Sequence, residues 1–138
     1  MNPKIMVLYY SMFGNTYSMA KAVCEGIKIE GGDAILRTVP ELVPPKVIEG
    51  NEGMKKAKEL QKEVPLVKME ELKNIDGIVL GSPTRFGNMC SQLRNFLDQT
   101  GELWMKGALI DKPAGVFCCT ASFHGGQETT LISMMFTL

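Results

Sequence analysis

The chain reads as an α/β protein built on a parallel sheet, and two observations predict it. Apolar runs of strand length alternate with segments of helical periodicity, in the order β-α-β-insertion-β-α-β-α. Strands that alternate with helices pack as a parallel sheet with right-handed crossovers. The runs ending near Tyr10, Gly81 and Cys119 each break into a loop rich in Ser, Thr, Gly or Asn, beginning at Ser11, Ser82 and Thr120. In open α/β sheets, ligands bind outside the carboxyl ends of the strands, at a topological switch point.

The first strand, residues 5–10, is continuously apolar or aromatic, as suits a strand buried on both faces. A helix follows over residues 17–29, with Ala20, Val23, Cys24 and Ile27 at core spacing, and Gly31-Gly32 ends it. Residues 33–39 read as a second strand, after which Pro40, Pro44 and Pro45 forbid regular structure. Residues 49–73 are dense in charges of interleaved sign, which reads as a solvated surface insertion with a short helix at 54–62 and a turn at 69–72. Residues 75–81 form a third strand, and residues 89–100 a helix with Leu93, Phe96 and Leu97 on one face. Residues 114–119 form a fourth strand, and a helix starts at Gln127. Met12, Met89, Met134 and Met135 read as packing residues, and Asp98 as a structural hydrogen-bonding group.

A length of 138 residues predicts a single domain, 1–138, with the charged insertion at about 41–73. A hydrophobic share of 45% suffices for a packed core. Fifteen basic and fifteen acidic residues give a net charge of +0, which offers nothing to nucleic acid or to a membrane surface. No apolar run is long enough to span a bilayer, and residues 5–10 are too short for a signal peptide. The four cysteines, Cys24, Cys90, Cys118 and Cys119, form no Cys-x-x-Cys pair, and His124 is the only histidine, so no metal site is expected. Reduced thiols and a cytoplasmic location are the expectation, with Cys118 and Cys119 read as small core residues.

The loop Ser11, Met12, Phe13, Gly14, Asn15 and Thr16 joins a buried strand to a helix N-terminus. Hydroxyls, free N–H groups and the helix dipole meet there, as an anion such as phosphate requires. It is neither a Walker A loop nor Gly-x-Gly-x-x-Gly, and it holds no Lys or Arg, so a phosphate would sit there without a charged partner. An ordinary strand-to-helix turn with a hydroxyl cap remains the alternative. Other chemistries lack their residues: there are no acids at the ends of strands 1 and 3, no Arg beyond Arg94, and no Gly-x-Ser-x-Gly. In a sheet ordered 2-1-3-4-5, as in flavodoxin, the three loops lie side by side. Such a pocket positions a cofactor rather than doing its own acid–base work, and flavin mononucleotide (FMN) fits.

Five segments carry a resemblance: Val-Leu-Tyr-Tyr-Ser-Met-Phe-Gly-Asn-Thr, Val-Pro-Glu-Leu-Val-Pro-Pro, Gly-Ser-Pro-Thr-Arg-Phe-Gly-Asn-Met, Asn-Phe-Leu-Asp-Gln-Thr-Gly-Glu-Leu-Trp and His-Gly-Gly-Gln-Glu-Thr-Thr. Together they resemble the WrbA family of flavodoxin-like NAD(P)H:quinone oxidoreductases. The resemblance implies FMN, with NADH or NADPH as electron donor, a quinone substrate, two-electron reduction to the hydroquinone, and a homotetramer. It implies that Ser11–Thr16 hold the FMN phosphate and that Pro83, Thr84, Arg85, Phe86, Gly87 and Asn88 contact the ribityl chain and ring. Thr120, Ala121, Ser122, Phe123, His124 and Gly125 would close over the other edge. Phe13 would stand beside the nicotinamide, and Trp104 would line the quinone pocket. His124 is equally readable as a turn histidine without a part in the chemistry. The full fold has a fifth strand and a last helix, and both are expected to be missing from this chain, which stops at Leu138 inside a helical pattern. A one-electron carrier of the flavodoxin type and a non-enzymatic regulatory or scaffold protein are the alternatives.

Overall fold

A computed structural model describes residues 2–138. Its sheet is parallel, in the order β2-β1-β3-β4, with β1 at Lys4–Tyr9, β2 at Asp33–Thr38, β3 at Gly77–Pro83 and β4 at Ala114–Cys119. These are the first four positions of the expected order. The helices are α1 (Asn15–Ile29), α2 (Pro45–Glu49), α3 (Glu52–Gln61), α4 (Ser91–Asp98), α5 (Gly101–Met105) and α6 (Gln127–Thr137), with a 3-10 helix at Met69–Asn74.

β1 is central because its side chains suit burial on both faces. Met6, Leu8 and Tyr10 face one core with Leu80, Leu93, Phe96 and Met134. Val7 and Tyr9 face the other, under Ala20 and Cys24 of α1 and beside Phe117. The alternation follows from the two-residue period of a strand. Of the expected α1 core positions, Ala20 and Cys24 are buried while Val23 and Ile27 are partly so. Met89 and Met134 are buried as expected, but Met135 is exposed, because α6 turns it away from the sheet. Asp98 makes an exposed ion pair with Arg94 at 2.9 Å.

The insertion departs from its reading as a solvated segment. Ala57, Gln61, Val67 and Leu72 are buried. Residues 65–67 run along the outer edge of β2: Thr38 N–H donates to the Pro65 carbonyl (3.1 Å), and Val67 N–H donates to that of Thr38 (2.9 Å). Arg37 of β2 binds both carboxylate oxygens of Glu71, at 2.7 to 3.2 Å. These bonds hold the Glu71 carboxyl below its usual range. High charge density marks the outer face of the insertion; a few apolar residues and paired charges dock its inner face.

Gly81 and Phe117 are register partners on adjacent strands. A Cβ on Gly81 would lie 2.1 Å from the Phe117 ring, so the ring lies over the bare backbone. Gly81→Ala is therefore expected to destabilise the fold by about 1–3 kcal/mol through overpacking. Adding Phe117→Leu should recover part of that loss, which urea denaturation of the single and double variants will measure.

Candidate functional site

The C-terminal ends of β1, β3 and β4 open into one cleft of about 380 Å³. Ser11, Met12, Phe13, Asn15 and Thr16 line it from the first loop, Pro83, Thr84, Arg85 and Phe86 from the second, and Thr120, Ala121 and Gly125 from the third. Twelve of the expected residues thus meet in one place. Gly14, Gly87, Asn88, Ser122, Phe123 and His124 belong to the same loops but do not line the cleft. Trp104 is not brought to it: it is 81% exposed and borders an apolar groove with Leu97 and Ile110.

The first loop suits an anion. Gly14 caps α1 at φ +93°, a left-handed backbone that glycine adopts without strain. No side chain caps this helix, which differs from the hydroxyl-capped turn and leaves first-turn N–H groups available. Ser11 Oγ accepts the Gly14 N–H at 3.1 Å and keeps its own hydrogen to donate. Ser11 and Thr16 are almost fully buried, yet both line the cleft.

The second loop is a tight reversal. Arg85 and Asn88 exchange backbone hydrogen bonds of 2.9 and 3.0 Å, with Phe86 (φ +51°) and Gly87 (φ +76°) between them. Two positive φ values make a type I′ turn, a geometry that suits glycine or asparagine and strains phenylalanine. The Phe86 ring is fully exposed at the rim. The Arg85 guanidinium donates to the Thr84 carbonyl at 2.8 Å and reaches Met12 Sδ at 3.5 Å, linking the first two loops. Thr130 of α6 donates to the Gly126 carbonyl at 2.7 Å and lies 3.2 Å from Thr84 Oγ1, which ties the second loop to the end of the third. That loop closes on itself, with Thr120 Oγ1 donating to the Gly125 carbonyl at 3.3 Å. His124, also at positive φ, is exposed and 3.7 Å from Glu128.

Sequence reasoning missed three neighbours. Cys119 lines the cleft at the end of β4, so it is more than a small core residue. Lys58 and Gln61 of α3 both donate to the Ser11 carbonyl, at 3.2 and 3.3 Å. A cation therefore stands beside the anion loop, although none lies within it. No local signal separates Lys58 from the other lysines of the insertion. Lys58 pairs with Glu41, whose carboxylate also accepts from Tyr10 Oη (3.0 Å), Gln92 Nε2 (3.3 Å) and the N–H groups of Leu42 and Val43 (2.9 Å each). Burial alone would raise the Glu41 carboxyl, but Lys58 and these donors outweigh it and hold the group below its usual value. Burial, joined by the Glu41 charge, pushes the Tyr10 phenol up, so it stays protonated and donates.

Phe86→Asn relieves a left-handed backbone and should stabilise the protein by about 1 kcal/mol in urea, while removing the rim aromatic. The lowered Glu41 carboxyl contributes stability that is fully present above its unfolded value of 4.5 and is lost as pH falls through the lower folded value. Glu41→Gln should therefore be less stable than wild type at neutral pH, with the difference shrinking as pH falls below 4.5, as urea midpoints across the acid range will show.

Residues 3–135 match the family described as NADPH-dependent FMN reductase. A protein of Solidesulfovibrio magneticus called NAD(P)H dehydrogenase (quinone) is 51% identical over 135 residues, covering 97% of this chain and 66% of that protein. One of the same name from Aromatoleum aromaticum is 51% identical over 136 residues, covering 98% of this chain and 65% of its own. The chain thus spans just under two thirds of the length of these relatives. Among solved structures, the flavodoxin, WrbA-like protein from Agrobacterium tumefaciens superposes with a TM-score of 0.70 at 28% identity, covering 99% of this chain and 71% of that one. On the extent of the family match, this flavodoxin-like chain belongs to the NADPH-dependent FMN reductase family.

Proposed function

We propose that the cleft binds FMN and that the protein is an NAD(P)H:quinone oxidoreductase. The observation that carries this reading is the convergence of three strand-end loops on one cleft whose first wall is an uncapped helix N-terminus. Its donor set fits the cofactor: Ser11, Thr16 and the first-turn N–H groups of α1 suit the phosphate. Thr84, Arg85 and the Thr120–Gly125 loop suit the ribityl hydroxyls and the polar edge of the ring. Bound FMN supplies two-electron transfer from NADH or NADPH to a quinone. Phe13 and Phe86, exposed at the rim, offer flat apolar faces against which nicotinamide and quinone rings pack. The names of the two relatives support the donor and the acceptor.

The five motif segments and the WrbA-like neighbour favour the WrbA branch of the family. The tetramer and the cytoplasmic location rest on the same resemblance. Exposed Phe86, Phe123 and Trp104 suit surfaces that a partner subunit covers.

An anaerobic absorbance titration of the FMN-loaded protein tests the activity. NADH or NADPH should bleach the flavin band in one step at about one equivalent, and benzoquinone should restore it. A stable stage at half an equivalent would mark a one-electron carrier instead. A band untouched by either nucleotide would overturn the reductase reading.

A further inference from the structure

The Val-Pro-Glu-Leu-Val-Pro-Pro segment and the charged insertion meet at the anion loop, where the chemistry proposed above gives them no part. We propose that Lys58 and Gln61 are positioning residues that set the Ser11–Met12 peptide for phosphate, so that the insertion decides how strongly the cleft prefers a phosphorylated flavin to the free one. The proposal rests on the FMN reading.

The Ser11 carbonyl accepts from Lys58 Nζ at 3.2 Å and from Gln61 Nε2 at 3.3 Å. Neither donor lines the cleft, whereas Ser11 and Met12 do. In a planar trans peptide the C=O and the next N–H point in opposite directions. Holding the Ser11 oxygen against α3 therefore turns the Met12 N–H away from α3, toward the phosphate side. Released, the peptide can rotate and present an oxygen to an anion, which repels it.

Both donors are themselves held. Gln61 is buried, and its amide also donates to the Ala57 carbonyl at 2.7 Å. The Lys58 ammonium lies 4.5 Å above the Tyr10 ring and is paired with Glu41. Glu41 is braced in turn by Tyr10 at the end of β1 and by Gln92 of α4. With its charge balanced by Glu41, Lys58 acts by hydrogen bonding to the loop rather than as a free counter-ion to the ligand.

The test compares dissociation constants for FMN and riboflavin, read by flavin fluorescence, in wild type, Gln61→Leu, Lys58→Met, Lys58→Arg and the exposed control Lys56→Met. The riboflavin-to-FMN ratio isolates the phosphate. It should fall about tenfold in Gln61→Leu and in Lys58→Met, with riboflavin affinity unchanged. Lys58→Arg, which keeps a donor and the charge, should restore it, and Lys56→Met should leave it alone. Equal ratios in all variants, or both affinities falling together, overturn the proposal while leaving the FMN reading intact. A wild type that binds neither flavin overturns the FMN reading and this proposal with it. Amide exchange over residues 11–16 in the flavin-free proteins reads the loop directly. It should quicken in Gln61→Leu and Lys58→Met, and unchanged exchange counts against the clamp whatever the flavins do.

Discussion

β1 is hydrogen-bonded to β2 on one side and to β3 on the other, with both pairings in register from Ile5 to Tyr9, and this double pairing carries the site. A strand held on both edges and buried on both faces has nowhere to move, so the residue that follows it leaves the sheet at a defined point and direction. Tyr10 is that residue, its N–H donating to the Gly81 carbonyl at 3.1 Å, and Ser11 opens the loop directly after it. Because β3 and β4 are parallel neighbours in matched register, their end loops at Thr84 and Thr120 emerge on the same side. The cleft is a consequence of strand order before it is a consequence of any individual loop.

Strain and exposure concentrate around that cleft. Phe86 and His124 adopt left-handed backbone conformations, and Phe13 and Phe86 show much of their rings to solvent. The core below holds Met6, Val7, Leu8, Tyr9 and Leu80 with no exposed surface. A packed base can carry a costly rim, since burial of large apolar side chains at about 25 cal/mol per Å² outweighs one or two strained residues. Rim aromatics of this kind suit flat ligands, whose stacking covers the exposed rings.

The insertion shows how charge can be structural without being buried alone. Glu41 has five donors from four parts of the fold, so its desolvation is offset by hydrogen bonds and one close cation. Arg37 and Glu71 do the same near the end of the insertion, in a fork that binds both carboxylate oxygens. The remaining pairs of the segment, such as Lys55 with Glu52 and Lys73 with Glu70, are exposed and contribute little. Nothing in the local sequence distinguishes these two kinds of charge.

Period and punctuation in the sequence determined most of the architecture. β4 lies where the apolar run from Ala114 to Cys119 places it, and α1, β2 and α6 begin or end within two residues of their sequence positions, because burial periodicity and glycine breaks are local properties. Twelve cleft residues were legible for the same reason, since strand-end loops rich in Ser, Thr and Gly can be read without distances. Tertiary structure alone decided the rest. Lys58 and Gln61 meet Ser11 across separations of 47 and 50 residues, and Glu41 meets Gln92 across 51. Trp104, close in sequence to the second loop, ends up in a different groove. Contacts of that range follow from how the insertion folds back on β2 and α4, and no periodicity in the chain encodes them.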